Sequence, residues 1–186
     1  MNPYILTGLT NRLEIRPYVY QDYLNWLTQY QRREPSKHRY DEGKVNMSVC
    51  TEQWFYDLVN HHQSSAKQDT LYVFGVFRKK DGAHLGVIDV STLIREDFHW
   101  GRIGYSIHNH YWGQGYGKES VEEVLRLAHN NLNYHRIEAH INLDNHGSIA
   151  LAKRVGMEYE CVRKGFIYEF GEWTDNLVYV SQPNIN

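Results

Sequence analysis

"YWGQGYGKES", residues 111–120, places Gly113, Gly115 and Gly117 within five positions and then turns polar and charged. Glycine loses more conformational freedom on folding than any other residue. Three at alternate positions mark either a turn that needs left-handed backbone or a place where something approaches the backbone too closely for a side chain. The flanks narrow the choice. "WGRIGYSIH" (100–108) reads as a strand, and from Lys118 to Leu132 the apolar residues Val121, Val124, Leu125, Ala128 and Leu132 trace one face of an amphipathic helix. A glycine-rich link from strand to helix aims backbone N–H groups where the helix dipole is positive, an arrangement that binds anions. Lys118 adds a positive charge there. A turn with no ligand fits the same three glycines, so the pattern alone leaves both readings open. A P-loop is excluded, because GxxxxGK[ST] needs Ser or Thr after the lysine and Glu119 stands there. A dinucleotide fingerprint counted from Gly113 meets Lys118 where its third glycine belongs.

The rest of the chain sets this stretch in an ordinary globular frame. At 186 residues, with 41% hydrophobic and 23% charged, the expectation is a single domain spanning residues 1–186 with a sizeable core. The 15 Tyr, 6 Phe and 5 Trp favour a fold containing β-sheet. A net charge of −2 argues against a nucleic-acid partner. Cys50 and Cys161 are far apart, in no metal-like spacing, and read as free thiols in a reducing compartment. No leader pattern or 18-residue apolar run is present, so the expected location is cytoplasmic with no membrane partner.

"RLEIRPY" alternates and predicts a first strand; "YQDYLNWLTQY" and "TEQWFYDLVNHH" predict two helices, the second capped by Thr51. Between them residues 32–46 form a long polar loop. "LYVFGVF" and "HLGVIDVSTL" predict strands joined at Asp81-Gly82. "HRIEAHINL" is another strand. "NHGSIALAKRVG" is a helix between Asn145 as N-cap and Gly156 as the residue past its end. Two short strands, "EYECVRKGFIYEF" and "DNLVYVS", close the chain. The order β α α β β β α β α β β predicts an α/β or α+β domain with a mixed sheet. The aromatic terminal strands fit either a homodimer face or an internal sheet edge.

"YWGQGYGKE" after a strand, followed by "NLDNHGSIALAKRVGM", resembles the GCN5-related N-acetyltransferase (GNAT) family. The opening "TNRLEIRP" and the ending "EYECVRKGFIYEFGEWTDNLVY" are similar to its RimJ/RimL-like branch, which acetylates ribosomal-protein N-termini. The resemblance implies a mostly antiparallel sheet flanked by helices, with acetyl-CoA held where the sheet splays. It implies that the pyrophosphate lies on the amides of Gln114, Gly115, Tyr116, Gly117 and Lys118. The strand from Tyr105 through Ile107 and His108 would pair with the pantetheine, Asn145 would hold its polar arm, and Lys153 would reach the adenosine phosphates. Where many relatives carry a tyrosine as the acid for the departing thiolate, this chain has Ala152. The substitute that the branch suggests is Ser148, which a helix first turn explains equally well. Trp112 stands where the family's loop commonly has Arg or Gln.

Acetyl transfer needs a neutral amine. An α-amine with a pKa near ~7.8 is easier to deprotonate than a lysine near ~10.4, by about 3.5 kcal/mol. Asp89, His108 and Glu119 are the base candidates by position, and none stands out, which favours a protein N-terminal α-amine as acceptor. A small amine such as a polyamine, amino sugar or antibiotic is the rival acceptor. A non-catalytic acyl-CoA-binding sensor is the rival class. The histidine pairs "HNH" (108–110) and "HH" (61–62) lack the spacing of a zinc site, so no metal is expected. The loop "QRREPSKHRYDEG" is expected to border the acceptor site, since loops of that length are commonly functional.

Overall fold

The computed structural model describes residues 5–183. Its strands are β1 (Gly8–Leu9), β2 (Leu13–Arg16), β3 (Leu71–Arg78), β4 (His84–Ile94), β5 (Trp100–Ile107), β6 (Arg136–Asn142), β7 (Glu158–Glu169) and β8 (Glu172–Ser181). Its helices are α1 (Tyr23–Gln31), α2 (Glu52–Lys67), α3 (Tyr116–Asn130) and α4 (His146–Arg154). The strands form one eight-stranded sheet in the order β1-β2-β3-β4-β5-β6-β8-β7.

Alternation along the strands divides the interior into two layers. Ile88 and Val90 of β4, Ile103 of β5 and Ile137 and Ile141 of β6 pack against Val121, Val124, Leu125 and Ala128 of α3. The opposite sheet face carries Val73 and Phe77, buried with Tyr18, Trp26, Phe55 and Val59 beneath α1 and α2. Thr51 caps α2, its side chain accepting from the Trp54 amide at 3.2 Å. The helix runs to Lys67, past the expected end at His62, because Ala66 packs into the main core.

Every strand pairing is antiparallel except one. β5 and β6 run parallel and pair only at Trp100–Arg136, Gly101–Ile137 and Arg102–Glu138. Beyond Arg102, β5 keeps β4 on one side, while β6 turns away with β8 as far as Asn142–Asn176. The sheet therefore splays, as the resemblance implies, and leaves residues 103–107 with no strand partner on that edge, where the Trp112 indole donates to the Ile107 carbonyl at 2.7 Å.

Three further details differ from the sequence reading. The two-residue β1 carries no alternation to reveal it. α3 starts at Tyr116, two residues before Lys118. The closing strands, of 12 and 10 residues, are among the longest of the fold rather than short, because they pair with each other over nearly their whole length.

Candidate active site

A cleft of about 480 Å³ opens at the splay. Tyr105, Ser106 and Ile107 of β5 form one wall, and Asn145, Gly147, Ser148, Leu151 and Arg154 form the opposite wall. The glycine stretch closes its end with Gly113, Gly115, Tyr116, Gly117 and Lys118.

The glycines have different reasons. Gly113 and Gly115 have φ of +76° and +81°, which L side chains rarely adopt. Gly117 does not share this left-handed geometry. A Cβ there would meet Leu151 at 3.5 Å and Ile107 at 3.8 Å, ordinary contact distances, so the fold itself tolerates a side chain. Its absence keeps cleft volume open. α3 also begins without a side-chain cap at Gly115, whereas Thr51 caps α2 and Asn145 caps α4. The first amides of a helix have no intrahelical acceptors, and here no capping side chain takes their place.

The loop is held from behind. Arg12 Nε lies 2.7 Å from Glu119 Oε2, its backbone N–H donates to Glu119 Oε1 at 2.9 Å, and its Nη1 donates to the Gln114 carbonyl at 3.0 Å. The Thr10 hydroxyl donates to the same carboxylate. Burial pushes the Glu119 carboxyl up, but the hydrogen bonds from Thr10 and Arg12 outweigh it and hold it below the ordinary value. Glu119 is thus engaged as a clasp, not poised as a base.

The long loop is also anchored. The Asp41 carboxylate accepts from Asn109 Nδ2 at 3.0 Å, from the Gly43 and Lys37 amides at 2.9 Å and from Arg33 at 3.2 Å. Burial opposes ionisation of Asp41, yet these bonds lower its pKa to about 2. So anchored, the loop sets His38 and Tyr40 on the cleft wall, with the His38 ring stacked on Trp112 at 5.4 Å.

A smaller cleft of about 120 Å³ adjoins the first and shares Tyr105, Asn145 and Ser148 with it. Its other walls include Gly104, His140 and Asn142. Ser148 therefore stands at the junction. Its amide donates to Asn145 Oδ1 at 3.2 Å, and its carbonyl accepts from the Tyr105 hydroxyl at 3.3 Å. Burial raises the Tyr105 phenol to about 12.

Of the residues expected at the donor site, Ile107, Gly115, Tyr116, Gly117, Lys118, Asn145 and Ser148 line the main cleft. Gln114, His108 and Lys153 are not on its wall. Gln114 contributes its carbonyl to the Arg12 clasp. Lys153 lies on the exposed side of α4, and Arg154 occupies the cleft side instead. His108 is 1% exposed, its Nε2 3.1 Å from His84 Nδ1, and His84 Nε2 is 2.9 Å from the Tyr18 hydroxyl. Burial, with the charges of neighbouring His84 and Arg33, lowers the His108 pKa to about 2. His108 follows the last residue of β5, and its buried ring against His84 braces the fold. Asp89 pairs across the sheet with Gly104, where an added Cβ would meet its Oδ1 at 2.6 Å. Burial raises the Asp89 carboxyl. Ala152 is fully buried in the core, so α4 offers no side chain from that position.

Among the described residues, no group of three His, Cys, Asp or Glu side chains is placed to hold a metal ion. Among the same residues, no helix is long and apolar enough to cross a membrane.

Comparison with known proteins assigns this splayed sheet and glycine-rich, uncapped helix start to a family. Residues 12–158 match the acetyltransferase (GNAT) domain family, and the chain belongs to it. It is similar to the [Ribosomal protein uS5]-alanine N-acetyltransferase of Escherichia coli (strain K12), 30% identical over 112 residues, or 60% of this chain and 58% of that relative. The match thus spans less than two thirds of that relative's length. It is also 28% identical over 171 residues to the uncharacterized N-acetyltransferase YnaD of Bacillus subtilis (strain 168), covering 91% of this chain and 93% of YnaD. The fold is shared with the ribosomal-protein-S5-alanine acetyltransferase of Vibrio fischeri, with a TM-score of 0.78 at 20% identity, covering 97% of this chain and 98% of that one. It is also shared with Mycobacterium smegmatis RimJ in complex with CoA-disulfide, with a TM-score of 0.76 at 18% identity, covering 96% and 86%.

Proposed function

We propose that this protein transfers the acetyl group of acetyl-CoA to the α-amine of a protein N-terminus. The observation that carries the donor half is the uncapped start of α3, turned on Gly113 and Gly115, at the end of a cleft whose wall is the free edge of β5. The amides at that start, with Lys118 and Arg154 beside them, suit the phosphates of the donor. The free edge at residues 103–107 suits a chain of amides, which pairs with it as a neighbouring strand would. Where the two clefts meet, Ser148 is placed to give a proton to the departing sulfur.

The acceptor half rests on chemistry and on one relative. The E. coli enzyme similar to this chain is named for an alanine of ribosomal protein uS5, which points to a protein N-terminus here. Thiol release from acetyl-CoA, followed across peptides with free α-amines, polyamines and amino sugars, tests the proposal. Release with peptides and not with small amines is the expected result. Release only with small amines overturns the acceptor, and binding without any release points to a sensor.

A further inference from the structure

Glu138 and His140 sit two residues apart on β6 and therefore on one face of the strand. This is the sheet face opposite the α3 core, since the intervening Ile137, Ala139 and Ile141 fill that core. His140 Nε2 lies 2.7 Å from Glu138 Oε2. Glu138 is fully buried and is also held by Arg136 at 2.6 Å and Arg163 at 3.0 Å. Burial opposes its charge, yet the hydrogen bonds from His140 and Arg136 and the arginine charges lower its pKa to about 2. An ionised carboxylate only accepts hydrogen bonds, so the short contact fixes the imidazole proton on Nε2. The 3.2 Å approach of Arg163 Nη1 to the same nitrogen is the longer of the two and does not compete. Phe166 packs edge-on against the ring at 5.0 Å.

The other nitrogen, Nδ1, is buried and has no hydrogen-bond partner. Buried polar atoms left unpaired ask for an explanation. Six other described residues carry such an atom, and none of them lines either cleft. His140 does: it is part of the wall of the smaller cleft, which it shares with Tyr105, Asn145 and Ser148. Asp89, His108 and Glu119, the bases suggested by sequence position, line neither cleft.

We infer that His140, oriented by Glu138, is the general base that takes a proton from the acceptor amine in the smaller cleft. This rests on the acetyl-transfer reading above. An incoming ammonium gives one proton to His140 Nδ1 and becomes a neutral amine. Its nitrogen then forms the C–N bond at the thioester carbonyl as the C–S bond breaks. The nitrogen's second departing proton is matched by the one that reaches the sulfur, so the products are amide, free thiol and a protonated His140 that returns its proton to water. Glu138 is a positioning residue: it sets the tautomer and touches no reacting atom.

Two measurements on the full chain test this. Long-range ¹H–¹⁵N spectra of the histidine rings, with His140 assigned through its contact with Phe166, are expected to give the Nε2–H tautomer at neutral pH. The Nδ1–H tautomer overturns the inference whatever the activity. In parallel, His140→Gln and His140→Asn are expected to lower kcat by about 10²–10⁴-fold, the range for a lost general base. Acetyl-CoA affinity and melting temperature are expected to stay at wild-type values. Turnover close to wild type in either folded variant overturns the inference. If wild-type protein releases thiol with no amine of any class, the acetyl-transfer reading itself fails and the base falls with it, an outcome distinct from an active H140Q. Should both variants melt early, the tautomer decides.

Discussion

Arg12 and Glu119 stand 107 positions apart in the chain and are joined by an ion pair of 2.7 Å behind the glycine loop. Arg12 also lies over the Tyr116 ring at 4.5 Å and holds the Gln114 carbonyl, so one side chain grips the loop at three points. The expected consequence is felt in donor binding rather than in chemistry. Glu119→Gln, which removes the charge and keeps the shape, should weaken acetyl-CoA by about tenfold, or about 1.4 kcal/mol. Calorimetric titration checks this. A fall in kcat at saturating acetyl-CoA would instead return Glu119 to the role of base.

Gly117 separates stability from binding. Because a Cβ there makes only ordinary contacts, Gly117→Ala is expected to leave melting unchanged or raise stability by up to about 1 kcal/mol, through helix propensity. The same methyl narrows the cleft beside the uncapped amides, so acetyl-CoA affinity should fall. Gly115→Ala should differ in kind, losing stability because its φ is +81°. Thermal melts with and without acetyl-CoA distinguish the two.

Ser148→Ala is expected to lower kcat by about 10²-fold or more if its hydroxyl protonates the departing sulfur. The Asn145 cap on the Ser148 amide uses the backbone and survives the change. A variant with wild-type kcat would leave Ser148 as a helix first-turn residue and no more.

Two buried histidines and one half-buried one set the pH dependence of stability. Burial lowers His62 to about 4, His84 to about 3 and His108 to about 2. An unfolded histidine titrates near ~6.5. Between that value and the folded one, the unfolded chain binds a proton that the folded chain refuses. Stability is therefore full above ~6.5 and falls as the pH drops, by about 1.4 kcal/mol per pH unit for each such histidine. Urea midpoints between pH 7 and pH 5 should fall steadily, and His62→Leu should flatten the slope. A midpoint that rises on acidification would contradict the burial of these rings.

Much of this could be read from the sequence, and the failures have specific causes. The glycine loop, the Thr51 and Asn145 caps and the left-handed Gly156 are local signals, and the structure places all of them as expected. The Arg12 clasp joins segments that no spacing rule connects. On α4 the phase matters: Ser148, Leu151 and Arg154 follow one another at helical spacing along the cleft, and Lys153 falls outside that line. Glu138 and His140 were visible as an alternating pair in "RIEAHIN". Nothing local announced that Arg163, from a strand beyond the last helix, would pin the carboxylate and leave one imidazole nitrogen unpaired.

The central claim concerns where the acetyl group goes. A peptide that carries both a free α-amine and an internal lysine, incubated with acetyl-CoA and the protein, can be sequenced by mass spectrometry to locate the added acetyl. Acetylation confined to the α-amine is the predicted result. Acetyl on the lysine side chain, or a peptide left unmodified while a small amine is acetylated, would contradict it.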